Sequence, residues 1–195
     1  MTDNNAFIKM LEAGDTNAFD ELYDRYNLML YRSAYLMTGN QYDAEDIIQE
    51  TFLTAFQHIK ELRDKTKLKS WLFRIMINLI HRQQAKKKRE ISDENIVELI
   101  DSKDFRNSDY EDNPENMLLK MDFQNYLMQI NVKRREALIL YYYNEMSVRE
   151  IAKICNCFEG TVKSRLHKGR LELRQKINAA ESEYNSKERK ALNNA

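Results

Sequence analysis

The fold is decided by residues 147–176, which read SVREIAKICNCFEGTVKSRLHKGRLELRQK. Ser147, followed three residues later by Glu150, is the pattern of a capping box, which predicts that a helix begins here. Asn156 stands at a sharp turn, where asparagine tolerates a positive φ better than most residues, and a second helix is predicted from about Gly160. Apolar or small residues recur at helical spacing on the inner faces of both helices: Ile151, Ala152, Cys155, Val162, Leu166 and Leu173. Two short helices joined by a tight turn form a helix-turn-helix.

The outer face of the second helix carries mostly cationic and polar side chains. They are Lys163, Ser164, His167, Lys168 and Arg170, with Arg165 and Arg174 at the margins. A helix with this face can lie in the major groove of DNA, with some side chains at base edges and flanking cations on phosphates. An ordinary solvated helix also carries such charges. The coincidence of turn, cap, small Ala152 and cations favours DNA binding.

The composition of the chain limits its fold class and its compartment. The 195 residues include one proline and four glycines, and alternating β-branched segments are few. This predicts a nearly all-α protein of one or two small domains. Two cysteines indicate a reducing compartment without a disulfide framework. No apolar run approaches the roughly 20 residues that span a bilayer, and no signal-peptide pattern stands at the N-terminus, so we expect a cytoplasmic protein without membrane insertion.

Charge is unevenly distributed along a chain whose formal net charge is zero. Residues 60–90 contain 11 Lys or Arg against 3 Asp or Glu, and residues 133–176 contain 11 against 5. Acidic excess fills residues 1–59, with 3 against 10, and residues 91–132, also with 3 against 10. Two basic blocks predict two surfaces that meet phosphate, unless the acidic and basic helices simply pair with each other.

Helical periodicity predicts four helices in the first 90 residues. They cover about residues 4–14, 16–37, 43–58 and 70–89. Ser70 is the predicted N-cap of the fourth helix, whose core side is expected to hold Trp71, Leu72, Ile75 and Leu79. The side of the third helix that faces away from its buried residues is acidic and polar and includes one leucine. This face consists of Asp46, Gln49, Glu50 and Leu53. Such a face is typical of solvated surface or of a protein-docking surface, and residues 60–69 are predicted to be a polar loop.

An acidic segment, residues 91–113, predicts a linker between two domains. Asn113 and Pro114 then predict the start of a helix, with asparagine as cap and proline at the first helical position. Its inner face is expected to hold Met117, Leu118, Met121, Leu127 and Ile130. A further helix is predicted over about residues 133–143. After about residue 177 few apolar residues remain, which predicts a frayed helix or a tail.

The residue pattern gives little support for catalysis or for a cofactor. His58, His81 and His167 stand far apart, and none has a cysteine or an acid at ligand spacing. Cys155 and Cys157 lack the second pair of ligands that a zinc site needs, and Cys155 is interpreted as a core residue. A glycine-rich phosphate loop and a nucleophile motif are both missing from the sequence. We therefore expect no enzymatic activity, no metal and no cofactor.

Three sequence blocks together resemble the extracytoplasmic-function (ECF) sigma factors of bacterial RNA polymerase. They are DAEDIIQETFLTAF at 43–56, SWLFRIMINLIHRQQ at 70–84 and SVREIAKICNCFEGTVKSRLHKGRLELR at 147–174. The resemblance implies two helical domains, with sigma region 2 in residues 1–90, a linker in 91–113, sigma region 4 in 114–177 and a tail in 178–195. The sequence departs from the family pattern where Asn156 replaces the common turn glycine. It also departs at Phe158, where proline or a small polar residue is frequent.

The resemblance also implies partners, which are core RNA polymerase, promoter DNA and an anti-sigma factor. The β′ clamp of the polymerase is expected to meet Asp46, Gln49, Glu50 and Leu53. The minus-ten element, melted and held as a single strand, is expected to meet Lys60, Arg63, Lys67, Lys69, Arg74, Asn78 and Arg82. The minus-thirty-five duplex is expected to meet Arg149, Lys163, Ser164, Arg165, His167, Lys168 and Arg170.

A stand-alone helix-turn-helix regulator that binds duplex operators is the main alternative. It leaves the basic block at residues 60–90 and the acidic helix at residues 43–58 without a role. A protein-interaction adaptor is a third class, and it predicts that nucleic acid plays no part in the activity.

Overall fold

The computed structural model describes residues 4–93 and 123–193, and every regular element in these ranges is helical. The helices are α1 (Asn4–Glu12), α2 (Thr16–Thr38), α3 (Gln41–His58), α4 (Leu68–Asp93), α5 (123–128), α6 (Val132–Leu138), α7 (Val148–Ile154) and α8 (Glu159–Asn193). Two 3₁₀ turns, Ile59–Glu61 and Lys65–Lys67, precede α4, and a π-helical turn, Ile139–Tyr143, continues α6. The prediction of an all-α fold is confirmed. None of the described helices is both long and apolar enough to cross a membrane.

Local signals in the sequence set the ends of α2 and α3. Asp15 caps α2, because its side chain accepts hydrogen bonds from the backbone amides of Asn17 and Ala18. Gly39 ends α2 at φ 73, a left-handed conformation that costs a residue with a Cβ about 1–2 kcal/mol. Asn40 then caps α3 by accepting from the amide of Asp43. The helices therefore start and stop close to the predicted positions.

The start of α4 differs from the prediction. Ser70 is not its N-cap, because the helix begins at Leu68, whose side chain is 2% exposed. The residues before it form two 3₁₀ turns, and Asp64 caps the second by accepting from the amide of Thr66. The buried side of α4 also differs from the prediction, because Phe73, Met76, Ile77 and Ile80 join Leu72 and Leu79 in the core, whereas Trp71 and Ile75 are only partly buried. Helix α4 contacts α2, α3 and α7, and this is why a single apolar line underestimates its core face.

The helix-turn-helix forms as predicted at α7 and α8. Ser147 and Glu150 make both hydrogen bonds of the capping box, and Asn156 takes the turn with φ 47. Val162 and Leu166 are buried on the inner face of α8. Gly169 lets α6 come close, since a Cβ at this position would stand 3.1 Å from a methyl group of Leu138.

Some predicted segments fall outside the described residues. These include most of the linker predicted at 91–113 and the start of the helix predicted at Asn113 and Pro114, although α4 itself continues to Asp93. Leu127 and Ile130, from the same predicted helix, are described and buried. At the other end α8 continues through Asn193, so the segment after residue 177 is helical there.

The two described parts of the chain, called here the N-terminal half (residues 4–93) and the C-terminal half (residues 123–193), pack against each other. Their buried apolar side chains belong to one hydrophobic cluster. Helix α4 contacts α7, and α2 contacts both α6 and the π-helical turn. The sequence did not predict this packing. The packing of the two halves affects which of the predicted site residues are exposed to solvent.

Candidate nucleic-acid and polymerase interfaces

The predicted minus-thirty-five surface lies mainly on the outer face of α8. Its predicted base-contacting residues all point to solvent: Lys163, Ser164 and His167. Lys168, Arg170 and Arg149 are also exposed, whereas Arg165 is half-buried. The Arg170 guanidinium donates a hydrogen bond of 3.2 Å to the Tyr142 hydroxyl of the π-helical turn. The structure therefore leaves most of the predicted set exposed to solvent.

A groove of about 450 Å³ between α6 and α8 adds residues that the sequence analysis missed. Its lining includes Asn131, Lys133, Arg134 and Thr161, together with Ser164, Arg165 and Lys168 from the predicted set. Arg134 Nη1 lies 2.8 Å from Glu172 Oε2 in an ion pair, whereas Lys133 and Lys168 of the same groove are exposed. The basic run at residues 133–135 is the signal in the sequence that points to this surface. The run predicts only part of a helix, because its position beside α8 depends on tertiary packing.

The predicted minus-ten residues occupy the 3₁₀ turns and the exposed side of α4. Arg74, Asn78 and Arg82 follow each other at four-residue steps along one exposed stripe. Lys60, Arg63 and Lys67 are exposed in the preceding turns. Lys69 differs from the rest, because it is half-buried and its Nζ donates a hydrogen bond of 3.2 Å to the Asn144 carbonyl of the C-terminal half.

The predicted polymerase-docking face of α3 is open to solvent. Asp46, Gln49 and Glu50 are exposed, and Leu53 is 59% exposed. Phe56 belongs to the same surface and was missed, being 51% exposed while its ring centroid lies 4.4 Å from that of Phe19. An exposed leucine and phenylalanine among acids suit a protein surface better than a nucleic acid.

Glu50 and Arg82 form an ion pair that links the docking face to the minus-ten stripe. Both side chains are well exposed, at 49% and 68%. An exposed pair of this kind contributes little to stability, about 0–1 kcal/mol. A ligand can therefore bind either side chain and break this ion pair at a small cost in free energy.

Two titratable groups in the helix-turn-helix are perturbed by their surroundings. Hydrogen bonds from Ser147 lower the pKa of the Glu150 carboxyl, as expected for the acid of a capping box. Burial raises the pKa of the Cys155 thiol to about 12, which disfavours the reactive thiolate, and this partly buried residue packs against the hydrophobic core. Cys155 and Cys157 are both free thiols. Among residues 4–93 and 123–193, no three His, Cys, Asp or Glu side chains converge as metal ligands.

Comparison with known proteins shows the family to which the chain belongs. The Sigma-70 region 2 family model matches residues 22–90, and the Sigma-70 region 4 model matches residues 120–173. The ECF RNA polymerase sigma factor SigW of Bacillus subtilis is 33% identical over 176 residues, which cover 87% of this chain and 94% of SigW. The chain belongs to the ECF sigma factors.

Other relatives agree with this ECF sigma factor assignment. SigM of Bacillus subtilis is 34% identical over 161 residues, covering 82% of this chain and 94% of SigM. The sigma factor RpoE of Bartonella quintana, solved in complex with the anti-sigma factor NepR, superposes with a TM-score of 0.71 at 28% identity. That match covers 82% of this chain and 96% of RpoE. CnrH, solved with the cytosolic domain of CnrY, shares the fold, with a TM-score of 0.65 at 21% identity over 91% of this chain and 99% of CnrH.

Family membership also bears on catalysis. Sigma factors are transcription initiation proteins and not enzymes, so the expectation that this ECF sigma factor makes and breaks no bonds is consistent with its family.

Proposed function

We propose that this ECF sigma factor meets core RNA polymerase with α3, the minus-ten strand with residues 60–82 and the minus-thirty-five duplex with α8. Binding to core polymerase and direction of promoter recognition are properties of the family to which the chain belongs. The allocation of these tasks to surfaces rests on one observation. The predicted docking residues of α3 and both predicted sets of DNA-contacting residues are exposed, apart from the half-buried Lys69 and Arg165.

In the minus-thirty-five complex, the N-terminal part of α8 enters the major groove. Lys163, Ser164 and His167 then meet base edges, where each good bidentate contact is worth about 1–3 kcal/mol. Arg149, Arg165, Lys168 and Arg170 hold phosphates and fix the register of the helix on the duplex. We add Lys133 to this phosphate-binding group, because it lines the groove beside α8.

At the minus-ten element the protein holds DNA as a single strand. Lys60, Arg63, Lys67 and Lys69 supply cations for the backbone, and the stripe of Arg74, Asn78 and Arg82 continues that track along α4. Separating a base pair costs about 1–2 kcal/mol per stacking step. Because the captured strand exists only when the duplex is open, recognition and melting are coupled.

Docking on the polymerase is assigned to Asp46, Gln49, Glu50 and Leu53, at the β′ clamp. The boundaries that go with this allocation are residues 1–90 for region 2, 91–113 for the linker, 114–177 for region 4 and 178–195 for the tail. We further propose a cytoplasmic location, where core polymerase is found.

An anti-sigma factor is the proposed regulatory partner. The relative from Bartonella quintana was solved in complex with one, and it shares both the fold and 28% of its residues with this chain. We propose that a helical segment of the anti-sigma factor binds the exposed apolar residues of α3, Leu53 and Phe56.

Transcription in vitro tests the proposal. A bacterial core polymerase free of other sigma factors, a pooled promoter library and the purified chain are expected to give selective start sites that core polymerase alone does not. Replacing Lys163 and His167 together by alanine should reduce the yield about tenfold or more, through lost base contacts. The control is Lys9→Ala with His58→Ala, the same residue types exposed elsewhere. Selective, tight binding to duplex DNA by the chain alone would instead indicate a stand-alone regulator.

A further inference from the structure

A phenylalanine stands exposed at the start of the helix that is proposed to read the minus-thirty-five duplex. Phe158 is 86% exposed, more than any other large apolar side chain among the residues that the structure describes. It directly precedes α8, which begins at Glu159. The ring removes little apolar surface from water, so it contributes little to the hydrophobic stability of the fold. Single exposed apolar residues are common on protein surfaces, so the position and the neighbours of Phe158 decide whether it binds a partner.

The backbone around Phe158 is held in place by the turn of the helix-turn-helix. Its carbonyl accepts hydrogen bonds from the amides of Thr161 at 2.9 Å and Val162 at 3.2 Å. The amide of Cys157, the residue before it, donates to the Ala152 carbonyl at 2.9 Å. The ring is therefore attached at a fixed point between α7 and α8 and does not belong to a loose loop.

Cationic side chains lie beside this ring. Phe158 lines a groove of about 440 Å³ together with Arg149 and Lys153 of α7, which are both exposed. Arg149 belongs to the residues predicted to meet the minus-thirty-five duplex. One acid, Glu159, lines the same groove, and it lies in the first turn of α8, where the helix dipole favours an acid. Two cations beside an exposed aromatic ring favour a partner that carries both phosphates and an apolar group, and duplex DNA carries both.

The major groove of DNA presents one large apolar group to such a ring. Thymine carries its C5-methyl group there, whereas adenine, guanine and cytosine are distinguished by their hydrogen-bond donors and acceptors. A helix-turn-helix brings the N-terminal part of its second helix to the base edges, and Phe158 directly precedes that end of α8. A phenyl ring cannot neutralise a phosphate as the neighbouring cations do. The thymine methyl group is therefore the part of the duplex that suits this side chain.

We propose that Phe158 is a specificity-determining residue of this sigma factor and contacts the C5-methyl group of a thymine in the minus-thirty-five duplex. The inference rests on the proposed function, because it needs α8 to lie in the major groove. It adds an apolar contact to the base contacts proposed for Lys163, Ser164 and His167. Burial of one methyl group in such a contact is expected to raise the affinity about fourfold.

Replacement of thymine by deoxyuridine tests the contact, because it removes the C5-methyl group and leaves the base pairing unchanged. Holoenzyme is assembled from core polymerase and the full-length chain, and closed complexes on a promoter that this holoenzyme selects are measured by gel shift at low temperature. Each thymine of the minus-thirty-five duplex is replaced singly, on both strands. One replacement should lower the affinity of the wild type about fourfold and have no effect on Phe158→Ala. Such a cycle isolates the interaction between the ring and the methyl group.

Two further variants serve as controls for Phe158→Ala. Phe123→Ala removes another exposed phenylalanine, 44% exposed on α5, and should keep the full sensitivity to deoxyuridine. Phe158→Leu keeps an apolar side chain at the same position and should retain part of that sensitivity, which a merely structural role of the ring would not explain. Circular dichroism verifies that all variants keep their helices.

Other results overturn the inference without touching the proposed function. If wild type and Phe158→Ala respond equally to every deoxyuridine, or if neither responds, the ring contacts no thymine methyl group. An equal loss of affinity for all duplexes would assign Phe158 to the DNA backbone, and weaker association with core polymerase would assign it to a protein contact. Lys163→Ala with His167→Ala is measured in the same gel shifts. If that variant binds the promoter as well as the wild type does, α8 does not read the duplex, and the proposed function itself is wrong.

Discussion

At the scale of single residues, the turn of the helix-turn-helix is set by short polar side chains. Ser147 and Glu150 satisfy each other's backbone amides, and this fixes where α7 begins. Asn156 takes φ 47, a left-handed conformation that asparagine tolerates better than most residues with a Cβ. These interactions are local in sequence, and this is why the pattern alone was sufficient to predict them.

Replacing Ser147 by alanine is expected to lower the free energy of unfolding by about 1 kcal/mol at neutral pH, the usual cost of a lost N-cap. The loss should shrink in acid. The Ser147 hydrogen bonds lower the pKa of Glu150 in the folded state, so their contribution is present above the pKa of the unfolded chain and is lost as pH falls through the folded pKa. Urea unfolding at pH 7 and near pH 4 measures both effects.

Ser70→Ala is the matched control for this experiment. Ser70 has the sequence context of a cap but lies inside α4, which begins at Leu68. Its replacement should change stability by no more than about 0.5 kcal/mol. Equal losses for the two serines would show that the capping box does not stabilise α7.

At the scale of elements, the prediction of helices succeeded where periodicity and capping signals agree. In the helix-turn-helix, Ile151, Ala152, Val162 and Leu166 are buried at the predicted spacing. The prediction was less accurate for α4, which contacts α2, α3 and α7 and begins two residues early. The sequence analysis did not include Lys133, whose place in the groove beside α8 depends on how α6 packs on α8.

The exposed face of α3 yields a prediction at this scale. Replacing Asp46 and Leu53 together by alanine should weaken association with core polymerase about tenfold or more, because an exposed leucine ringed by acids is the expected anchor of the contact. Binding of the chain's C-terminal half to minus-thirty-five duplex should be spared. Surface plasmon resonance with immobilised core polymerase measures the first effect.

Helix α2 offers the matched control for α3. Asp24 and Leu28 are also an exposed acid and an exposed leucine, and Leu28 is 49% exposed. Alanine at both positions should leave association with core polymerase unchanged. If this pair matters as much as Asp46 and Leu53, the docking face does not lie on α3.

At the scale of the whole molecule, the two halves share one hydrophobic core. The sequence shows two basic blocks, which predict two DNA surfaces, but it does not show that the halves pack against each other. That packing brings together residues that are far apart in the sequence, such as Ser33 and Asn144, which no local pattern connects. We propose different tasks for the two halves, the N-terminal one acting on the single strand and the C-terminal one on the duplex.

This division of tasks predicts that variants of the two halves fail at different stages of initiation. With the holoenzyme assembled, Asn78→Ala should leave closed-complex binding nearly intact and reduce open-complex formation about tenfold, because Asn78 lies on the exposed α4 stripe that we propose as the site of the unwound strand. Lys163→Ala with His167→Ala should instead reduce closed-complex binding. Permanganate footprinting of unpaired thymines reports melting, a gel shift at low temperature reports closed complexes, and Asn17→Ala, an exposed asparagine on α2, is the control. Equal losses at both stages for Asn78→Ala would assign that residue a structural role, since a residue that acts only on the single strand has nothing to contact while the duplex is still paired.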